Sequence, residues 1–356
     1  MFLRAVATYS LWDVVVPDSG AVMPLAYDPA GYDDDLRVAV EELEAGRWRT
    51  AGKLLQETGT HWGLRTSRTQ LLAVRAARSD VVKVWLDEEP NNYNAYLMSA
   101  RVAVQRALRA HRRQHPKSWE FETRARDEVL WAAGHAPQDP VPWVCLLALA
   151  QIDTRQLRPE HRMAPNEPML PSGPWGLLYE VNQRDPYNRE AYHRVLQFLL
   201  ALVDAGAVSL AAVVDFGRSV ASQRPAGSPL LLLPAYALVE QRRRSRVDPL
   251  WRQRWAQESM LDYTLNAFHD WFRKTPPGMC SVADLHCLAY ALWAAHRHVE
   301  AAEVFVAMGS YAASEPWASV HDGAAGPDPG EALLLRARAE SFTYARSRGP
   351  RAGPHP

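Results

Sequence analysis

The feature that most constrains this chain is a junction that recurs at long intervals. Three segments open on an acidic residue and a proline: Glu89-Pro90, Asp139-Pro140 and Asp185-Pro186. In each, the fifth residue after the proline is small (Ala95, Cys145, Ala191) and the sixth is large (Tyr96, Leu146, Tyr192). The prolines stand 50 and 46 residues apart, and a looser copy begins at Pro225-Ala226-Gly227-Ser228-Pro229. Proline closes one helix and pre-sets the turn. The large residue then anchors the next helix, while the small one lets a neighbouring backbone approach. A recurrence of that length marks a chain built from stacked supersecondary units.

The intervening sequence agrees. From Asp33 onward apolar residues recur at three and four, as in Leu36, Val40 and Leu43, and Asp33-Asp34-Asp35 supplies the acidic start that a helix N-terminus favours. Helices then follow one another with short Gly or Pro breaks, and no convincing run alternates apolar with polar, so the predicted class is all-α with strands nearly absent. Residues 1–32, broken by Pro17, Pro24 and Pro29, form an irregular lead-in with one short strand at Val14-Val15-Val16. Residues 33–313 form the helical array, 314–330 a linker rich in glycine, 331–346 a last helix and 347–356 a disordered tail.

Lys and Arg number 40 against 40 Asp and Glu, so no net field steers the chain to nucleic acid or an acidic membrane. Lysine occurs only at Lys53, Lys83, Lys117 and Lys274, a skew that matches GC-rich coding and discounts arginine clusters as evidence. Cys145, Cys280 and Cys287 are too few for a disulfide scaffold, which points to a reducing, cytoplasmic setting. The opening residues lack the pattern of a signal peptide. The stretch 198–214 is interrupted by Asp204 and Gly206, and reads as the end of one buried helix and the start of another rather than a membrane span.

The Pro-anchored junctions resemble those of the tetratricopeptide repeat. Two further stretches resemble its body: Leu285, Leu288, Ala289 and Leu292 at first-helix positions with Ala301 and Phe305 at second-helix positions, and Val38, Ala39, Ala51 and Leu55 around a Gly46-Arg47-Trp48 turn. Over roughly 35–317 the chain is also similar to a group of actinobacterial helical-repeat proteins, on Gly46-Arg47-Trp48, Thr58-Gly59-Thr60-His61-Trp62, the segment 185–191 and the segment 225–229. The resemblance implies an α-solenoid of tetratricopeptide-like hairpins that binds a protein or peptide on its concave face. Polar residues near the starts of first helices would then contact the partner: Asn91, Asn94, Asn188, Arg189 and His193. Asn91 and Asn188 also have the chemistry of helix caps.

Catalytic and metal patterns are weaker. Cys280, His286 and Cys287 lack the paired short spacings of a zinc site, so neither metal nor cofactor is expected. His296 and His298 flank a turn and read as cap residues. Thirteen tryptophans spread along the chain read as packing between units, not one aromatic pocket. Two alternatives stay open. One is an enzyme of unrecognised type with a pocket between repeats, using some of Tyr192, His193, Asp204 and Asp215. The other is a nucleic-acid or regulatory binder using the basic cluster Arg242-Arg243-Arg244-Ser245-Arg246. The sequence leaves the oligomeric state open.

Overall fold

A computed structural model describes residues 24–244, 250–320 and 328–348. Among these the fold is all-α. The described residues form no sheet, only two isolated bridges, Ala26 with Tyr311 and Met163 with Gly173. The expected strand at 14–16 and nearly all of the tail fall outside the described residues. The chain divides into two compact units, Tyr32–Leu233 and a second built from 1–31 and Pro234–Pro356.

The first unit contains α1 (Asp34–Glu44), α2 (Arg49–Thr58), α3 (Trp62–Ala76), α4 (Val81–Glu88), α5 (Tyr93–Arg112), α6 (Ser118–His135), α7 (Val141–Ala150), α8 (Trp175–Arg184), α9 (Arg189–Asp204) and α10 (Leu210–Ser222). Asp33 caps α1 by accepting the Leu36 N–H at 3.1 Å, and Leu36, Ala39 and Leu43 form the buried stripe. The odd-numbered helices meet in chain order: α1 packs on α3, α3 on α5, α5 on α7 and α7 on α9, while each even-numbered helix packs against an odd-numbered neighbour. Helix α3 also touches α7 and α9. Helix α7 is buried over its whole length apart from Trp143.

The junctions work by capping. Asn92 and Asn188 cap α5 and α9, their side chains accepting the Asn94 and Ala191 N–H groups. The acid before each proline accepts a hydrogen bond from the capping amide, Glu89 from Asn92 at 2.7 Å and Asp185 from Asn188 at 2.6 Å. At the middle junction Asp139 itself accepts the Val141 N–H at 2.8 Å. The cap of α5 is therefore Asn92; Asn91, the neighbouring candidate, lies exposed in the turn. Ala95, Cys145 and Ala191 are wholly buried. Leu146 and Tyr192 are buried beside them, and the half-buried Tyr96 lies against Trp131 with ring centroids 4.1 Å apart.

Helix α9 ends in a left-handed cap. Gly206 has φ +72°, and the Ala207 N–H returns to the Leu202 carbonyl at 2.8 Å. Helix α10 starts a few residues on, so 198–214 is two helices, and no helix among the described residues is long and apolar enough to cross a membrane. The sequence expectation of short breaks fails at 151–174, a long segment without α-helix whose one helical turn is a 3-10 turn at Pro159–His161. Pro159, Pro165, Pro168, Pro171 and Pro174 keep it from coiling. It is held instead by Asp153, which accepts from the Leu157 and Arg158 N–H groups and pairs with His161 at 2.9 Å, and by the ion pairs Arg126–Glu160 and Arg158–Glu122.

In the second unit, described residues 24–31 join α11 (Leu233–Arg244), α12 (Glu258–Asn266), α13 (Val282–Ala294), α14 (His298–Met308), α15 (Trp317–Val320) and α16 (Pro329–Arg348). Helix α13 is its buried centre, and α14 packs between α13 and α16. The stretch read as a linker includes α15, whose Trp317 is buried with its indole N–H satisfied by donating to His286 Nδ1 at 2.7 Å. Within the lead-in, Ala26 pairs with the backbone around Tyr311.

Indole N–H can only donate, so Nδ1 of His286 carries a lone pair and the ring proton sits on Nε2, 3.2 Å from the Tyr311 carbonyl. The Ala313 N–H, 3.1 Å from the same Nε2, is then a contact and not a bond. Burial, with a smaller contribution from Arg338, pushes the His286 pKa down to about 4. The unfolded chain therefore takes up this proton first on acidification, so the stability tied to the neutral ring is complete above about pH 6.5 and declines toward pH 4. Urea unfolding across that range should reveal a loss of about 3 kcal/mol that is missing in His286→Gln. Equal acid sensitivity in the two proteins would contradict it. For the first unit, Ala95→Leu and Ala191→Leu should each cost about 1–3 kcal/mol by overpacking the helix junction, measured by the same unfolding.

Candidate functional site

The first unit holds a buried ionic core. Arg101 on α5 makes a bidentate pair with Glu190 on α9, both bonds at 2.8 Å, and Arg194 one turn along α9 donates to the same carboxylate at 2.8 and 3.0 Å. Arg101 Nη2 also reaches the Thr66 carbonyl at 3.2 Å, and Asn188 donates to the Thr66 hydroxyl at 3.1 Å. Burial opposes ionisation of Glu190, but the two guanidinium groups outweigh it and hold the carboxyl below its usual range. Beside this cluster Arg65 pairs with Asp139 at 2.9 Å and donates to the Leu55 carbonyl and Asn94 Oδ1.

Arg65, Asn94 and Asp139, with Trp62, Tyr93 and Gln138, line a cleft of about 390 Å³. Its charges are already matched. Tyr93 donates to Asp139 at 3.3 Å, and burial, then the Asp139 charge, raise the phenol pKa.

A larger cleft, about 770 Å³, lies among α8, α9, α10 and the proline-rich segment. Trp175, Tyr179, Tyr192, Phe216, Leu170 and Met163 give it an apolar lining. Gly176 lets Met163 cross α8, since a Cβ there would meet the Met163 sulfur at 2.5 Å. The polar groups differ from those of the smaller cleft. Arg224 donates from Nε to the Val220 carbonyl at 3.1 Å and from Nη1 to the Tyr192 hydroxyl at 2.9 Å, and among the described residues no carboxylate stands within ion-pair distance. Its guanidinium lies 3.9 Å from the Tyr187 ring and 5.1 Å from that of Tyr192. Glu167 accepts from Ser219 at 2.6 Å and from Gln223 at 2.9 Å and has no cation partner among the described residues. A ligand-sized, mainly apolar cleft with a few convergent polar groups is the usual form of a binding site.

The residues expected to contact a partner are divided by the structure. Asn94 and Asn188 are joined through adjacent residues of α3, Arg65 and Thr66, and Asn188 is 3% exposed. Arg189 and His193 are half-buried on α9, and Asn91 is exposed. Of the residues weighed for catalysis, only Tyr192 lines the larger cleft. Asp204 is exposed at the last turn of α9, roughly 18 Å along the helix from Tyr192, and Asp215 is half-buried on α10. Glu167, Tyr179 and Arg224 went unremarked in the sequence, and Trp175, read there only as packing between units, lines the cleft. The proline cluster at 159–174 is the signal that marks the wall to which Glu167 belongs.

The other candidate chemistry is committed elsewhere. Arg242 lies 5.8 Å from the Trp251 ring, and Arg243 and Arg244 pair with Glu240; Ser245 and Arg246 lie outside the described residues. Burial raises the thiol pKa values of Cys145 to about 11 and Cys280 to about 12, the latter with help from Asp284, so neither is a thiolate at neutral pH. Among the described residues no three of His, Cys, Asp and Glu gather as a metal set. His298 begins α14 and packs against Tyr344, with ring centroids 5.2 Å apart. No family model, no curated protein and no solved structure matches the chain.

Breaking the ionic core by Glu190→Ala strands two buried cations and should cost about 3–5 kcal/mol in urea unfolding. Replacing all three charges together, Arg101→Met, Glu190→Leu and Arg194→Met, should cost far less than the single change. If the triple variant is the less stable of the two, the pairing itself carries the stability.

Proposed function

We propose that the chain is a protein- or peptide-binding adaptor, with its first unit an α-solenoid of tetratricopeptide-like hairpins and its larger cleft the binding site. The observation that carries this reading is the pairing of an aromatic lining with two unmatched charges, Arg224 and Glu167, in one open cleft. Charges left without partners beside apolar surface are suited to a ligand that supplies both. The recurring junctions and the chain-order packing of the odd-numbered helices support the repeat reading. Arg189, His193 and Asn91 belong to the wider surface that the repeat resemblance assigns to the partner.

The reading is tested by panning a displayed library of linear peptides against the full chain. The wild type should yield a converged pool. Met163→Glu with Tyr179→Glu, both changes at exposed positions of the cleft, should abolish capture of that pool with the helical signal intact. The triple change Asn91→Ala, Arg189→Ala and His193→Ala should weaken capture less. Loss only in the triple variant would move the site to the helix starts.

A further inference from the structure

Tyr187 is a bulky residue in left-handed backbone, φ +66°, a conformation with a steric cost for any side chain with a Cβ. It is held there by its own N–H, which donates to Asn182 Oδ1 at 3.2 Å, and by Asn188, which fixes the next residue as the cap of α9. The result is that the Tyr187 ring meets the Arg224 guanidinium on one side while Tyr192 meets it nearby. Stacking removes torsional freedom from a long side chain before any ligand arrives. Nε and Nη1 are spent on Val220 and Tyr192, and Nη2 has no partner among the described residues. A cation so oriented, with a free donor and no counter-ion, is arranged for an anion.

The identity of the anion follows from its surroundings. Glu167 is bonded by Gln223, the residue next to Arg224, so a negative charge already belongs to the same cleft, outside ion-pair distance of the guanidinium. A phosphate dianion would face that carboxylate with one cation to balance it, whereas a single carboxylate matches Arg224 one for one. The apolar wall of Trp175, Phe216 and Tyr179 asks for a large apolar group beside it. Resting on the peptide-binding reading above, we infer that Arg224 receives the carboxylate of an Asp or Glu side chain in a peptide segment whose adjacent residue is large and apolar.

The experiment starts from the peptide pool selected by the wild-type chain and a synthetic peptide of its consensus sequence. The pool should be enriched in Asp or Glu next to Phe, Leu, Met or Trp. Arg224→Gln should weaken binding of the synthetic peptide about ten- to hundredfold, as expected for loss of a charge-assisted contact. Arg224→Glu should reverse the preference, so that a peptide with Lys in place of its acid binds better than the original. Exchanging the peptide's acid for its amide, with wild-type protein, tests the same contact independently of any effect on folding and should give a similar loss. A pool without acidic enrichment, or unchanged affinity both in a folded Arg224→Gln protein and for the amide peptide, overturns the inference while the peptide reading stands. Failure to select any pool overturns the peptide reading and this inference with it.

Discussion

Glu190 holds two guanidinium groups in a region from which water is nearly excluded, with Glu190 5% exposed and Arg101 1%. Such a group of ions adds little net stability, because the desolvation of three charges offsets much of their attraction. Its consequence is geometric. The Arg101 fork accepts one orientation of the carboxylate, so the rotation of α9 about its axis is set relative to α5. Thr66 and Asn188 extend the constraint to α3 and to the start of α9. A core of leucine and alanine alone would tolerate small rotations of α9; a bidentate pair tolerates few.

The two clefts differ in how their charge is disposed. In the smaller one, every donor side of Arg65 is used and its partner Asp139 is also bonded by Tyr93, so the polar floor is part of the scaffold. In the larger one, the scaffold stops at Tyr192 and Asn182, and beyond them lie a guanidinium and a carboxylate that make no ion pair with each other or with another described residue. Aromatic faces lower the cost of that arrangement for Arg224, since ring quadrupoles replace part of its hydration. The contrast separates residues that hold the unit together from residues available to a ligand, although both sets contain arginine, tyrosine and acid.

Local chemistry was legible in the sequence, and long-range pairing was not. Asp33 reads as a cap because its role depends on a residue three positions away, and the small residues Ala95, Cys145 and Ala191 read as contact points because a recurring junction places them. Asn91 and Asn92 have the same chemistry, and only the turn geometry selects the second. Arg101 and Glu190 are 89 residues apart, with no spacing that could associate them, in a chain where arginine is too common to stand out. The segment 151–174 gave its signal as five prolines, but proline density shows where helix stops and not what the resulting loop encloses. The role proposed for Arg224 depends on which charges are missing around it, a property no sequence pattern expresses.

Helix α9 carries both kinds of residue within one turn. Glu190 points to Arg101, and Tyr192, two positions later, presents its hydroxyl to Arg224 and Asn182. Successive α-helical residues are separated by about 100° around the axis, so fixing the direction of Glu190 also fixes that of Tyr192. The buried ion cluster therefore acts on the cleft without touching it, as a supporting shell does for groups that must be placed to within a fraction of an ångström. The strained Tyr187 backbone completes the arrangement from the preceding turn, where the Asp185-Pro186 junction and the Asn188 cap leave one residue between them to bear the left-handed conformation. The recurring junction that stacks the helices is, at this one copy, also what positions an aromatic face against the unmatched guanidinium.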